Sequence, residues 1–100
     1  MLDFGRVIGF QWDQGNERKN VDRHGVSQTE AEQVFFNEPL RLAEDGRHSE
    51  RERRLHALGR TDEGRVLHVT FTMRGNGQFI RIISARDANR AERGRYGQSA

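Results

Sequence analysis

Arg54, Arg60, Arg74 and Arg81, together with His56 and His68, are the residues of this 100-residue chain whose type and spacing suggest chemistry. All six fall in segments that alternate apolar and polar residues. Alternation sends successive side chains to opposite faces of a sheet, so such residues can be gathered on one side. Guanidinium groups fork onto phosphate oxygens and stack on bases. Imidazole changes charge near neutral pH. A set of this kind suits RNA cleavage without a metal. That reaction turns a ribose 2′-hydroxyl on the adjacent phosphate. It needs a base near the hydroxyl, cations for the extra phosphate charge, and an acid for the leaving 5′ oxygen. The arginines supply cations, and His48, His56, Glu52 and Tyr96 are candidate proton carriers. Each has an ordinary alternative: a loop residue, a solvated strand position, an ion-pair partner of Arg54, and a packing residue with its hydroxyl in water.

Other chemistries find less support. The histidines at 24, 48, 56 and 68 show no metal-ligand spacing, and there is no His-Glu-x-x-His. No metal and no cofactor is expected. Gly75-Asn76-Gly77 reads as a turn, not a phosphate cradle, and no Gly-x-Ser-x-Gly elbow is present.

The elements that must position these residues can be read in turn. Val7 to Trp12 alternates and predicts a first strand, with Ile8, Phe10 and Trp12 on one face. Asp13 is placed to cap a polar helix from about Gln14 to His24, closed by Gly25. Ser27-Gln28-Thr29-Glu30 has capping-box spacing. It opens a second helix from Gln28 to Phe36, with Ala31, Val34 and Phe35 as its buried stripe. Pro39 enforces its end. Leu40 to Glu44 alternates weakly and predicts a short edge strand. Phe79 to Arg86 is a central strand, apolar at nearly every position, with Arg81 in its middle and Arg86 at its exit. An arginine there must meet water, an acid or a phosphate. Ala88 to about Tyr96 reads as a final helix capped by Asp87, weakened by Gly94 and Gly97.

Strand register follows from the turns. Asp62-Glu63-Gly64 fits a three-residue hairpin loop and pairs Gly59 with Leu67, Ala57 with Val69 and Leu55 with Phe71. The Gly75-to-Gln78 loop pairs Met73 with Ile80, Phe71 with Ile82 and Val69 with Ser84. The apolar face so formed is where two helices belong. The opposite face sets Thr72 between Arg54 and Arg81, and Thr70 between His56 and Ile83, with Arg60, His68 and Arg74 nearby. No acid falls on these inner positions. A merely solvated face would mix signs, so an anion-binding surface is expected.

Length and composition set the frame: one domain over 1–100, with 1–6 and 97–100 expected outside its ordered body. No apolar run approaches the ~20 residues of a membrane span. The first residues lack the pattern of a secretory signal, and there is no cysteine, which together predict a cytoplasmic protein. Net charge is +2, and Lys19 is the sole lysine among 17 basic residues. An arginine bias of this kind permits a nucleic-acid partner without requiring one.

Seven stretches form an ordered set between about residues 8 and 97. They are Phe10-Gln11-Trp12-Asp13; Asn20 with Arg23-His24-Gly25-Val26-Ser27; Glu30-Ala31 leading to Val34-Phe35; Asp45-Gly46-Arg47-His48-Ser49 with Glu52 and Arg54; Gly59-Arg60; Ile80-Arg81-Ile82-Ile83-Ser84-Ala85-Arg86; and Glu92-Arg93 with Tyr96. Together they resemble the BrnT family of bacterial toxins, within the wider RelE-like ribonucleases. The resemblance implies the toxin of a type II toxin–antitoxin pair, an endoribonuclease that blocks translation. It implies a ribbon-helix-helix antitoxin (BrnA-like) that covers the toxin, with operator DNA bound only through the complex. The implied fold is α+β and RelE-like: a small antiparallel sheet, two N-terminal helices packed on one face, and a C-terminal helix. On this reading Arg54, Arg60, Arg81 and Arg86 contact phosphate, and His48, Glu52 and Tyr96 move protons. His56, His68 and Arg74 join the RNA-binding surface. Gln14, Asn16 and Gln28 depart from the family's tendency to proline, lysine and an aromatic at those positions. They bear on the first helices and not on the basic face.

Two rival classes remain. One is a basic module that grips RNA or an acidic protein without chemistry. The other is a degenerate toxin that serves only as a corepressor with its antitoxin.

Overall fold

The computed structural model describes residues 4–13, 15, 21, 23–45 and 53–97. Five strands form one mixed sheet: β1 (Gly9–Trp12), β2 (Arg41–Asp45), β3 (Arg54–Arg60), β4 (Val66–Arg74) and β5 (Phe79–Asp87), in the spatial order β1-β5-β4-β3-β2. Two described α-helices, α1 (Gln28–Gln33) and α2 (Arg90–Gly97), complete the α+β architecture.

The hairpins follow the turn chemistry. Thr61 donates its N–H to the Arg65 carbonyl at 2.8 Å across the Asp62-Glu63-Gly64 loop. Gly59 pairs with Leu67, Ala57 with Val69 and Leu55 with Phe71, as read from sequence. β3 then alternates: Leu55, Ala57 and Gly59 are buried while Arg54, His56, Leu58 and Arg60 face away. α1 opens on the expected capping box. The Ser27 hydroxyl accepts from the Glu30 N–H, and the Glu30 carboxylate accepts from the Ser27 N–H. A 3-10 turn, Val34–Phe36, continues it to the predicted end. Ala31 and Val34 are fully buried against the sheet, and Phe35 stands edge-on to Phe71 with ring centres 5.0 Å apart.

Four expectations are corrected. First, the sheet is not purely antiparallel, because β1 runs parallel to β5, with Phe10 opposite Ile80 and Gln11 opposite Arg81. Second, no pair of N-terminal helices packs on the sheet among the described residues. Only α1 and its 3-10 extension do so. In the expected first helix, Gly15, Val21, Arg23 and His24 are helical and Gly25 follows at φ 61°, while the rest of that stretch lies outside the described residues. Third, Phe4–Arg6 forms a 3-10 turn, and the Phe4 ring packs against Phe35 and Phe71, so it belongs to the body. Ile8, read on one face with Phe10 and Trp12, is 72% exposed and stands just before β1 begins. Fourth, β5 carries a bulge. Phe71 pairs with Ile82, but Thr70 pairs with Ser84 and Val69 with Ala85, so Ile83 is the extra residue. Beyond it every β5 side chain faces the opposite way from the unbulged register.

Gly59 marks the closest approach of α1's extension to the sheet. A Cβ built there would lie 2.5 Å from Val34 Cγ1 and 3.1 Å from the Val34 carbonyl oxygen. Val34 is fully buried and has no room to withdraw. Gly59→Ala is therefore expected to destabilise the fold by about 1–3 kcal/mol through overpacking. A thermal melt should show a midpoint lower by roughly 4–8 °C per kcal/mol.

Candidate functional site

Residues directly opposite across antiparallel strands share a face. The polar face therefore carries three rows: Arg54, Thr72, Arg81; Ala43, His56, Thr70, Ser84; and Arg41, Leu58, His68, Arg86. The bulge decides which β5 residues, Ser84 and Arg86, join the last two rows. Without it Arg86 would lie opposite Leu67 in the core. With it Ala85 is buried and Arg86 stands beside His68.

α2 lies across this polar face at the His68–Arg86 end. Its N-terminus is held by a reciprocal pair: the Asn89 side-chain oxygen accepts from the Glu92 N–H at 2.8 Å, and Glu92 Oε1 accepts from the Asn89 N–H at 2.9 Å. The cap is Asn89, not Asp87, and the helix begins at Arg90, not Ala88. Asp87 is occupied elsewhere. Arg65 forks onto it at 2.7 and 2.9 Å, and also donates to Glu30, the Gly25 carbonyl and the His24 carbonyl. At the far end of α2, Arg41 donates to the Arg95 carbonyl at 2.7 Å, and the Tyr96 hydroxyl donates to the Pro39 carbonyl at 2.7 Å.

No acid stands on the inner positions of β3, β4 and β5, but acids from neighbouring elements reach the face. Arg86 forks onto Glu92 with contacts of 2.8 and 3.0 Å. Arg81 reaches Asp13, at the end of β1, at 3.3 Å. Both acids come from neighbouring elements and not from the three strands whose register was argued. The Arg86 fork holds the Glu92 carboxyl down to about 2 despite its burial. Glu92 in turn raises the Arg86 guanidinium above its ordinary value.

Beside this pair is a groove of about 270 Å³ between α2 and β2, lined by Arg41, Leu42, Ala43, His56, Leu58, His68, Glu92 and Arg95. His56 and His68 stack in it, ring centres 4.9 Å apart and tilted by 36°. His56 Nδ1 lies 3.2 Å from Thr70 Oγ1, and His68 Nε2 lies 3.9 Å from Glu92 Oε2. Burial, then the Arg86 charge, push His68 below its ordinary value. Glu92 opposes this and His56 adds to it.

The residues singled out by sequence are thus distributed unevenly. His56 and His68 meet in the groove, with Arg86 behind them. Arg54 is exposed at one end of the face, and Arg81 is half-buried across Thr72 from it. Arg74 is half-buried near the tip of β4. Arg60, exposed at the end of β3, donates to the Glu38 carbonyl at 2.9 Å. Tyr96 is buried and its hydroxyl is engaged by Pro39, so it packs rather than facing the groove. Burial pushes its phenol up, with Arg60 pulling it the other way. His48 and Glu52 lie outside the described residues. Arg41, Glu92 and Arg95 were missed as site residues, because nothing local predicts that α2 folds back over β2 and β4. The capping spacing of Asn89 to Glu92 is the one signal that was available. Among the described residues no three His, Asp or Glu side chains converge as for a metal ion.

Comparison with known proteins bears on family and fold. The sequence profile of a family described as "Ribonuclease toxin, BrnT, of type II toxin-antitoxin system" matches residues 12–92. The crystal structure of the Brucella abortus ribonuclease toxin BrnT is similar in fold, with a TM-score of 0.62 at 20% identity, covering 84% of this chain and 100% of that one. No curated protein matches the chain.

The Arg86–Glu92 pair has a pH signature. The folded carboxyl, at about 2, lies below its ordinary 4.5, so its stabilisation is fully present above 4.5 and is lost as pH falls towards 2. Urea unfolding of the parent and of Glu92→Gln should differ most above pH 4.5 and converge as pH approaches 2. Equal midpoints above pH 4.5 would contradict a stabilising pair.

Proposed function

The chain belongs to the BrnT family of ribonuclease toxins of type II toxin–antitoxin systems, and from that premise we propose that it cleaves RNA without a metal ion and so blocks translation. The observation that carries this is the gathering of Arg54, Arg81, Arg86, Arg41, His56 and His68 on one face of a sheet whose other face is core. RNA backbone carries one charge per nucleotide, and a cationic face both holds it and stabilises the additional charge that develops on the phosphoryl oxygens.

Arg54 and Arg81 take phosphates along the open part of the face in this proposal, and Arg60 takes one at the other end of β3. Arg86, clamped by Glu92, contributes at the edge of the groove as a fixed charge. Arg74 extends the RNA-binding track beyond Arg81. The 2′-oxygen of the bound RNA attacks its own phosphate, and the 5′ oxygen of the next nucleotide leaves. The partner is an antitoxin of ribbon-helix-helix type (BrnA-like) that covers the toxin and carries the complex to operator DNA, and the site of action is the cytoplasm. No helix among the described residues is long and apolar enough to cross a membrane.

One observation favours a second reading. Asp13 and Glu92 already neutralise two of the arginines, as in a face built to hold a protein. A non-catalytic corepressor would have that property.

The test is cleavage of single-stranded RNA in EDTA, free and in a translating extract. Cleavage is expected in at least one setting, with Arg81→Ala slower by about 10²-fold or more, the scale of losing one group that stabilises developing charge. Arg54→Ala should weaken RNA binding and make it less sensitive to salt, the logarithmic slope falling by about 0.7 for each phosphate no longer neutralised. Salt-sensitive RNA binding with no cleavage in either setting would favour the second reading.

A further inference from the structure

We infer that His56 and His68 are the proton-transfer couple of this site, His68 as general base and His56 as general acid. The inference rests on the ribonuclease reading above and adds residues to it. Its foundation is geometric. The two rings are diagonal neighbours on β3 and β4, stacked 4.9 Å apart in a groove that also holds arginines. A histidine pair whose only task was packing would gain nothing from this setting. Arg86 on β5, Arg41 on β2 and Arg95 on α2 surround it, and Glu92 on α2 is the only described carboxylate lining the groove. Two imidazolium ions cannot stand in contact there without strong repulsion. Repulsion therefore favours at most one positive charge on the couple, the resting state that paired acid and base catalysis requires.

The environments differ in the direction that assigns the roles. His68 is enclosed, its side chain 16% exposed, and Arg86 is its row neighbour, so burial and that charge disfavour a proton there. His56 lies one row further from Arg86 and contacts the Thr70 hydroxyl. In the reaction, the 2′-hydroxyl proton passes to His68 as the 2′-oxygen bonds to phosphorus. The bond from phosphorus to the 5′ oxygen breaks, and that oxygen takes the proton of the His56 imidazolium. The products are a 2′,3′-cyclic phosphate and a 5′-hydroxyl. Exchange with water returns a proton to His56 and removes one from His68. Arg86 and Glu92 act as positioning residues: their fork fixes the charge beside His68.

The experiment measures cleavage against pH, between about pH 5 and 8, for the parent, His56→Gln, His68→Gln, the double histidine variant and Glu92→Gln. RNA is supplied free and in a translating extract, with circular dichroism as the folding check. Each histidine variant should lose about 10²-fold or more in rate, with the double variant little worse than either single one. The parent profile should be bell-shaped. His68→Gln should lose the acidic limb and His56→Gln the alkaline limb. Glu92→Gln should move the acidic limb to lower pH, because the carboxylate that favours protonated His68 is gone. A purely structural role for Glu92 would lower stability and leave that limb in place. Folded histidine variants that cleave at the parental rate would overturn the inference and leave the ribonuclease reading standing. A parental profile flat across this range would do the same without any variant. A parent that cleaves in neither setting would overturn both.

Discussion

A single extra residue in β5 decides what the polar face can be. Up to Ile82 the strand alternates with Ile80 and Ile82 inward. Had alternation continued, Ser84 would have faced the core and Arg86 would have stood opposite Leu67. Burying that guanidinium without a partner would cost several kcal/mol or more. Ile83 absorbs the conflict as a bulge, so Ala85 fills the core and Arg86 emerges beside His68. Everything at that end of the face follows: the fork onto Glu92, the seat for α2, and the groove that α2 makes with β2.

Two arginines do different kinds of work in this fold. Arg65 is architectural. It binds Asp87 at the end of β5, Glu30 of the α1 capping box, and the carbonyls of His24 and Gly25. One side chain thus ties the end of β5 to the α1 capping box and the residues just before it; Arg65 holds the Asp87 carboxyl below its ordinary range, and the Ser27 N–H, with Arg65 adding to it, does the same for Glu30. Its fork geometry, unavailable to lysine, allows this. Arg86 makes an equally well-formed fork, but at the rim of a groove with two stacked imidazoles. Its pairing with Glu92 tunes a neighbouring titratable group as well as holding a helix.

The cationic face is accordingly more structured than an unopposed patch of charge. Asp13 and Glu92 reduce its net charge while leaving arginines along its open edge. A site that holds a polyanion and must also release it benefits from such moderation. The groove next to Glu92 is where charge, burial and titratable groups coincide, and perturbed groups in a concave site mark function more often than exposed arginines do. On the opposite side, Phe36 is 77% exposed beside Phe10, so the described residues do not wholly cover the apolar face.

Local rules made much of this legible in the sequence. Period-two alternation, the two hairpin loops and the Ser27 capping box set the order, register and caps of the elements from α1 to the first half of β5. They also put Arg54, His56, Thr72 and Arg81 on one face. These features depend only on neighbours in the chain or across a tight turn, so residue type determines them. The parallel pairing of β1 with β5, the bulge at Ile83, the choice of Asn89 over Asp87 as cap, and the folding of α2 onto the polar face were settled by the tertiary structure. Each is a competition between partners distant in sequence: core volume against a buried charge, one acid against another for an arginine. Such competitions are resolved only when all the surfaces are brought together, which is why the arginine row was visible early and the histidine groove was not.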